Sequence, residues 1–447
     1  MLVRFSTKNF LSFDEEVELS MIHGRARQHP QHIVRDDAWN GIDLLRAAVI
    51  YGANASGKSN LIKAMSFAQN LIVKGTSLGQ SIPVRHHRFN PSCAERPSSF
   101  EFEFKHRGHY YAYGFDLDAQ RIHREWLYDI TKKTPKGMFE RETVGRETTV
   151  EFGSALFEDK DKEARQFLKY VMKGTRPNQL FLTEATGKNV RYFEDVFDWF
   201  RQVLKIIFPA SRLFGLGPHI SEEDELGRFL QEYLQLLDTG VSGIALEKAD
   251  VELKLDNLPQ EVRDQLTVGR SVPMSHMADN RQYVLRMNGD QRVQSLKLMT
   301  KHRTDDGHEV LLEVDEESDG TQRLMDLIPG LFELLNSERV FVVDELDRSL
   351  HPSLSYKLLE HFLNNPGQES QFIVTTHESS LLDLDLLRRD EIWFIEKNRA
   401  GASSVYSLEE FTPRYDKDIR KGYLVGRFGA IPVIGNISHL GWAKREP

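Results

Sequence analysis

The chain has 447 residues, 40% hydrophobic and 28% charged, which supports a folded core and excludes a disordered or fibrous protein. A formal net charge of −9 excludes a globally basic nucleic-acid binder, so any DNA contact would need a local basic face. One cysteine, Cys93, excludes an intrachain disulfide and four-cysteine zinc sites. It fits a reducing compartment, and with no secretory core at Met1-Leu2-Val3-Arg4-Phe5 and no membrane-length apolar run, the expected location is the cytoplasm, with no membrane partner.

The first segment, Phe5 to Phe13 and then Val17 to Ser20, reads as two short strands joined by a polar turn. Residues 23 to 43 are polar and read as a loop. Ala47-Ala48-Val49-Ile50-Tyr51 then reads as a buried parallel strand. It runs into Gly52-Ala53-Asn54-Ala55-Ser56-Gly57-Lys58-Ser59, which is G-x-x-x-x-G-K-[ST] with no position missing, followed by a helix expected to end near Gly75. Strand, glycine loop and helix are the context a phosphate-binding loop requires. The glycines let successive N–H groups turn inward toward phosphate oxygens, and the helix start adds partial positive charge. Lys58 would reach the β- and γ-phosphates, and Ser59 would ligate Mg²⁺.

Residues 81 to 130 read as strands, with the alternation at Phe100-Glu101-Phe102-Glu103-Phe104 marking a sheet core rather than a base-stacking surface. His86, His87, His106, His109 and His123 show no metal-ligand spacing. Residues from about 155 to 240 read as helical, including Glu163 to Met172, Tyr192 to Phe208 and Asp224 to Leu237. Residues 250 to 316 return to strand character, with a polar region from Ser271 to Arg281. The run Arg339-Val340-Phe341-Val342-Val343-Asp344-Glu345 is an apolar strand ending in two acids. In a P-loop protein this is the Walker B arrangement: Asp344 holds Mg²⁺ and Glu345 polarises the attacking water. Gln371 to Thr375 reads as another buried strand, with His377 just beyond its carboxyl end, where ligands of α/β sheets bind.

These stretches together resemble an ABC-type ATPase head of the RecF, SMC and OLD branch, and most closely the AAA_15/AAA_21 group of stand-alone bacterial ATPases, including RloA-like and abortive-infection proteins. The resemblance is carried by Ala48 to Asn60, by Asp344-Glu345-Leu346-Asp347-Arg348-Ser349-Leu350-His351-Pro352, and by Gly422-Tyr423 through Phe428 to Pro432. It implies an α/β fold, a P-loop NTPase head with a mixed sheet plus an inserted, largely helical region. The implied division is 1–90 and 91–150 for the N-terminal and β-rich parts of the head, 151–300 for the insert with flanking strands, and 301–447 for the C-terminal part of the head.

Such heads carry a signature loop that caps ATP bound by a second subunit. Glu317-Ser318-Asp319-Gly320-Thr321-Gln322-Arg323 is the candidate, with Ser318 and Gly320 matching the family pattern and Glu317, Asp319 and Thr321 departing from it. Ser318 is also a natural N-cap for the helical run Leu324 to Leu335. The resemblance adds Asn54, Asn60 and the D-loop acid Asp347 to the nucleotide contacts, and His377 to the catalytic pair with Glu345. The Q-loop glutamine has no clear counterpart; Gln80 is the candidate.

The implied activity is ATP hydrolysis with Mg²⁺ in a homodimer or higher homo-oligomer. The implied role is a nucleotide-driven switch in bacterial anti-phage defence. The seventy residues after His377 show no second acid cluster of the Toprim kind, so an effector such as a nuclease is expected on a separate chain. Two alternatives remain open at this stage: a RecF- or SMC-like repair ATPase that binds DNA, and a scaffold that holds ATP without turnover.

Overall fold

The computed structural model describes residues 1–36, 41–145, 147–153, 156, 162–210, 225–249, 255–267, 272–275, 282–287, 292–365, 369–411 and 418–432. The chain divides into two compact units. One comprises Leu2–Arg201 with Thr375–Pro447, the other Met1 with Gln202–Val374.

The first of these units is built on a seven-stranded antiparallel sheet. Leu2–Lys8 lies between Val17–Ser20 and Ser98–His106, and the sheet continues through His109–Leu117, Ile122–Asp129, Lys136–Val144 and Glu147–Phe152. Period-two alternation puts Phe100, Phe102 and Phe104 on the buried face, each fully enclosed. Phe104 stacks on Trp199 with centroids 4.2 Å apart, and Phe102 meets Phe200 edge-on at 5.1 Å. These aromatics are packed core, as the alternation predicts. A buried pair reinforces the outer strands: Glu125 accepts from Arg141, from Tyr113 and from the N–H groups of Phe181 and Leu182. It thereby caps the short helix Phe181–Gly187 with a carboxylate, in the favourable orientation for a helix start.

The same unit holds the strand Ala47–Tyr51, every residue of which is buried. It pairs in parallel with Ile392–Lys397, which in turn pairs antiparallel with Ser403–Ser407, so the pairing is mixed as expected. The helix Lys58–Lys74 follows and stops at Gly75 in a left-handed conformation (φ 67°) that glycine adopts without a Cβ penalty.

In the other unit, Val340–Val343 is flanked in parallel by Leu204–Ile207 and by Gln371–Thr375. The sequence reading of Tyr192 to Phe208 as one helix is corrected here. The helical part ends in a π turn at Trp199–Val203, and Leu204–Ile207 is a strand. A short segment, apolar but for Lys205 and with two β-branched residues, fits either state by periodicity, and the place beside Val340–Val343 decides for the strand. A five-stranded antiparallel sheet follows, centred on Val293–Arg303, which pairs with Val241–Lys248, Gln282–Met287 and Glu309–Glu313. The helix Asp319–Asn336 then leads to Val340–Val343.

Candidate functional site

Gly52 and Gly57 have separate reasons to be glycine. A Cβ on Gly52 would lie 2.5 Å from the carbonyl oxygen of Ile395 and from Ser56 Oγ. Gly57 sits at φ 120°, and its Cβ would meet Ser403 Oγ at 2.6 Å and Ser12 Oγ at 2.9 Å. Ser403 Oγ donates to the Ser56 carbonyl at 2.6 Å, and Asn60 Nδ2 donates to Ser12 Oγ at 2.9 Å. The loop is therefore braced from the Ser12 turn and from Ser403, two partners that no local motif contains. Ala55 is also left-handed (φ 62°), and Asn54 is exposed at the loop crest.

Lys58 is only 5% exposed. Its Nζ donates to the carbonyls of Gly52 at 2.7 Å and Ala53 at 3.2 Å, and lies 3.5 Å from Nδ1 of the exposed His377. His377 is brought there because Thr376 N donates to the Ile50 carbonyl at 3.1 Å, docking its segment on the loop strand. A buried ammonium, a histidine and a 17-residue helix whose glycine N-cap supplies no side-chain cap together fit a polyphosphate. Ser59 stands half-buried on the first turn of that helix. Gln80 is exposed, with its backbone tied to Ser77 and to Asn178.

The base of this arrangement is a buried charged cluster. Arg46 directly precedes the loop strand, and Glu391 directly precedes its partner strand. His32 Nδ1 lies 3.1 Å from both carboxylate oxygens of Glu391, and Arg388 makes a two-nitrogen contact with Asp390. Burial, with Arg388 and Arg46 nearby, pushes His32 down to about 4. Burial also pushes the Glu391 carboxyl well above its usual value, so the uncharged forms of both His32 and Glu391 are favoured beside the Arg388–Asp390 ion pair.

In the other unit, the acid pair is shaped by its backbone. Asp344 is 2% exposed, and its N–H donates to the Ile207 carbonyl at 2.9 Å. Glu345, half-buried, is left-handed at φ 51°, an uncommon state for a residue with a Cβ. Arg323 supports it: Nη2 donates to the carbonyls of Asp344 at 3.4 Å and Glu345 at 3.3 Å. The guanidinium is 5% exposed, and its Nε and Nη1 have no hydrogen-bond partner among the described residues. Burial pushes it below the usual arginine value, opposed by Asp326 and the acid pair.

Ser318 caps the helix Asp319–Asn336 as expected, accepting from Thr321 N at 3.1 Å, and is itself exposed. A Cβ on Gly320 would lie 2.9 Å from the Ser349 carbonyl, so glycine permits close approach of the turn after the acids. That turn contains Asp347, half-buried, whose carbonyl accepts from Leu350 N at 3.1 Å. Thus Lys58 and His377 are brought together in one unit, and Ser318, Gly320, Asp344, Glu345 and Asp347 all lie in the other. Arg323 escaped the sequence reading. Its signal was a charge inside the apolar stripe formed by Leu324, Leu327, Ile328 and Leu331.

The family described as "AAA domain, putative AbiEii toxin, Type IV TA system" (AAA_21) matches residues 47–383. The chain belongs to the AAA_21 family. The AAA_21 match begins with the loop strand and runs past His377, so it takes in both the glycine loop and the acid pair. The expectation of an α/β P-loop ATPase head with a mixed sheet holds for this AAA_21 protein. No protein with a curated description matches it. Among solved structures it is similar to an SMC head bound to the C-winged helix domain of ScpA, at 14% identity and TM-score 0.41, covering 92% of this chain and 99% of that one. It is also similar to the SMC head domain from Thermotoga maritima, at 13% identity and TM-score 0.33, covering 91% and 98%. The family assignment stands without these distant likenesses. Among the described residues no group of three or more His, Cys, Asp or Glu side chains is placed to hold a metal, and no helix is long and apolar enough to cross a membrane.

Proposed function

We propose that this AAA_21 protein is an ABC-type ATPase that binds ATP with Mg²⁺, closes as a homodimer around the nucleotide, and reopens on hydrolysis. The observation that carries the reading is Lys58, buried, held by the Gly52 and Ala53 carbonyls with His377 alongside. Phosphoryl transfer asks for positioning and charge neutralisation rather than covalent chemistry. Lys58 neutralises phosphate oxygens, the first turn of Lys58–Lys74 supplies oriented N–H groups, and His377 donates toward the terminal phosphate. Glu345 takes a proton from the attacking water, and Arg323 fixes the backbone on which that carboxylate sits. Ser59 and Asp344 are the oxygen donors suited to Mg²⁺, which when bound would neutralise charge on the phosphates. Asn54, Asn60 and Asp347 complete the nucleotide contacts. Ser318 and Gly320 lid the nucleotide of a second copy.

The family description, naming a toxin and a toxin–antitoxin system, supports a role as a nucleotide-driven switch in bacterial anti-phage defence, acting on a separate effector such as a nuclease. Steady-state ATP turnover of the wild type and of Glu345→Gln tests the catalytic part. A loss of about 100-fold with ATP affinity retained is expected; equal rates would remove hydrolysis from the account.

A further inference from the structure

Glu317 departs from the signature pattern, and the structure gives it a use. It directly precedes the exposed Ser318, yet its own side chain is only 6% exposed. A buried carboxylate needs donors. Both come from one strand of the five-stranded sheet: His302 Nε2 donates to Oε1 at 2.6 Å, and Thr300 Oγ1 donates to the same oxygen. The Glu317 carbonyl is also engaged, accepting from Gln322 Nε2 at 2.8 Å. The residue is therefore fixed at both its side chain and its backbone.

The strand that holds it is itself constrained on both sides. Thr300 stands opposite Ile244 and Leu312, and His302 opposite Val241 and Val310. Moving these two residues means shifting or bending a strand paired on both edges, because a register slip would turn every side chain to the other face. Consecutive Cα atoms are about 3.8 Å apart, so the position of Glu317 strongly limits that of Ser318.

We propose that Thr300 and His302 are positioning residues for Ser318. Through Glu317 they hold the start of the helix Asp319–Asn336 in the direction that presents Ser318 to the nucleotide of a second copy. The five-stranded sheet is then the carrier of the lid, and a partner that bends it would alter dimer closure without touching the phosphate loop. This inference rests on the reading of Ser318 given above.

The test uses the full chain carrying Glu345→Gln, so that bound ATP persists. Dimerisation with ATP is followed by sedimentation, affinity for a fluorescent ATP analogue by titration, and folding by thermal melting. Thr300→Val/His302→Ala is expected to weaken ATP-dependent dimerisation about tenfold, with analogue affinity unchanged when titrated below dimerising concentrations and the melting temperature lowered by no more than a few degrees. His302→Gln, which keeps a donor, should restore most of the loss. Wild-type dimerisation in the double variant, a parallel loss of analogue affinity, or a large fall in melting temperature would overturn the inference. Ser318→Arg separates the two levels. If it blocks dimerisation while the double variant does not, only the inference falls; if it dimerises normally, the reading of Ser318 falls and takes the inference with it.

Discussion

The turn at Gly52–Lys58 and the turns at Ser318 and Glu345 are held in different ways. The first is mostly a backbone construction, with Ser12 and Ser403 as outer braces: two glycines where a Cβ would collide, a left-handed Ala55, and a lysine folded onto the carbonyls of its own loop. The others depend on side chains remote in sequence: Arg323 reaching the carbonyls of the acid pair from 21 and 22 residues away, and Thr300 and His302 reaching Glu317 from 17 and 15. A backbone-built turn leaves a compact motif. A side-chain-built turn scatters its determinants along the chain.

The largest expected effect strikes the first construction. Lys58→Ala removes the ammonium that spans the Gly52 and Ala53 carbonyls. ATP affinity should fall by about 100-fold or more, measured by titration, while Ser318 and its cap are untouched. If affinity survives, the loop backbone alone binds phosphate, and the comparison grows sharper still.

The next effect concerns the base of the loop strand. His32 has a folded value near 4 against 6.5 when unfolded, so the folded state binds fewer protons than the unfolded chain. The neutral ring contributes its full stability above about pH 6.5, and that contribution is lost as pH falls toward 4. Glu391, raised by burial, works the other way and gains stability as pH falls, so the His32 part, about 2–3 kcal/mol, is read as the difference between the wild type and His32→Gln. Denaturant unfolding at pH 7 and pH 5 should show His32→Gln losing less stability on acidification than the wild type does. An unchanged slope would mean the cluster tolerates an extra proton.

The smallest effect probes the second construction. Arg323→Met fills the same space but leaves two carbonyls without their donor beside Asp326 and the acid pair, so stability should fall by only about 1–2 kcal/mol. ATP turnover should nevertheless drop about tenfold, because the backbone of Glu345 loses its two contacts. Full activity would show that the acid turn holds its geometry without Arg323.

This division also marks what could be read from the sequence. The loop strand, the helix stop at Gly75, the buried run Val340–Val343 and the cap at Ser318 all follow from short patterns with a direct physical cause. The strand Leu204–Ile207 was missed because four residues, three of them apolar, are too few to carry a period of their own. Arg323 and the His302–Glu317 contact were missed because pairing between distant charges leaves no local trace. The braces Ser12 and Ser403 were hidden for the same reason.

The left-handed backbone of Glu345 has a consequence for anyone engineering this protein. Glycine or asparagine would occupy that conformation more cheaply, by about 1 kcal/mol, so every folded molecule carries a small permanent penalty to keep a longer acid there. A library screened only for heat tolerance would enrich replacements at position 345 and return sturdier proteins stripped of chemistry. Any such campaign should sort on nucleotide turnover at each round.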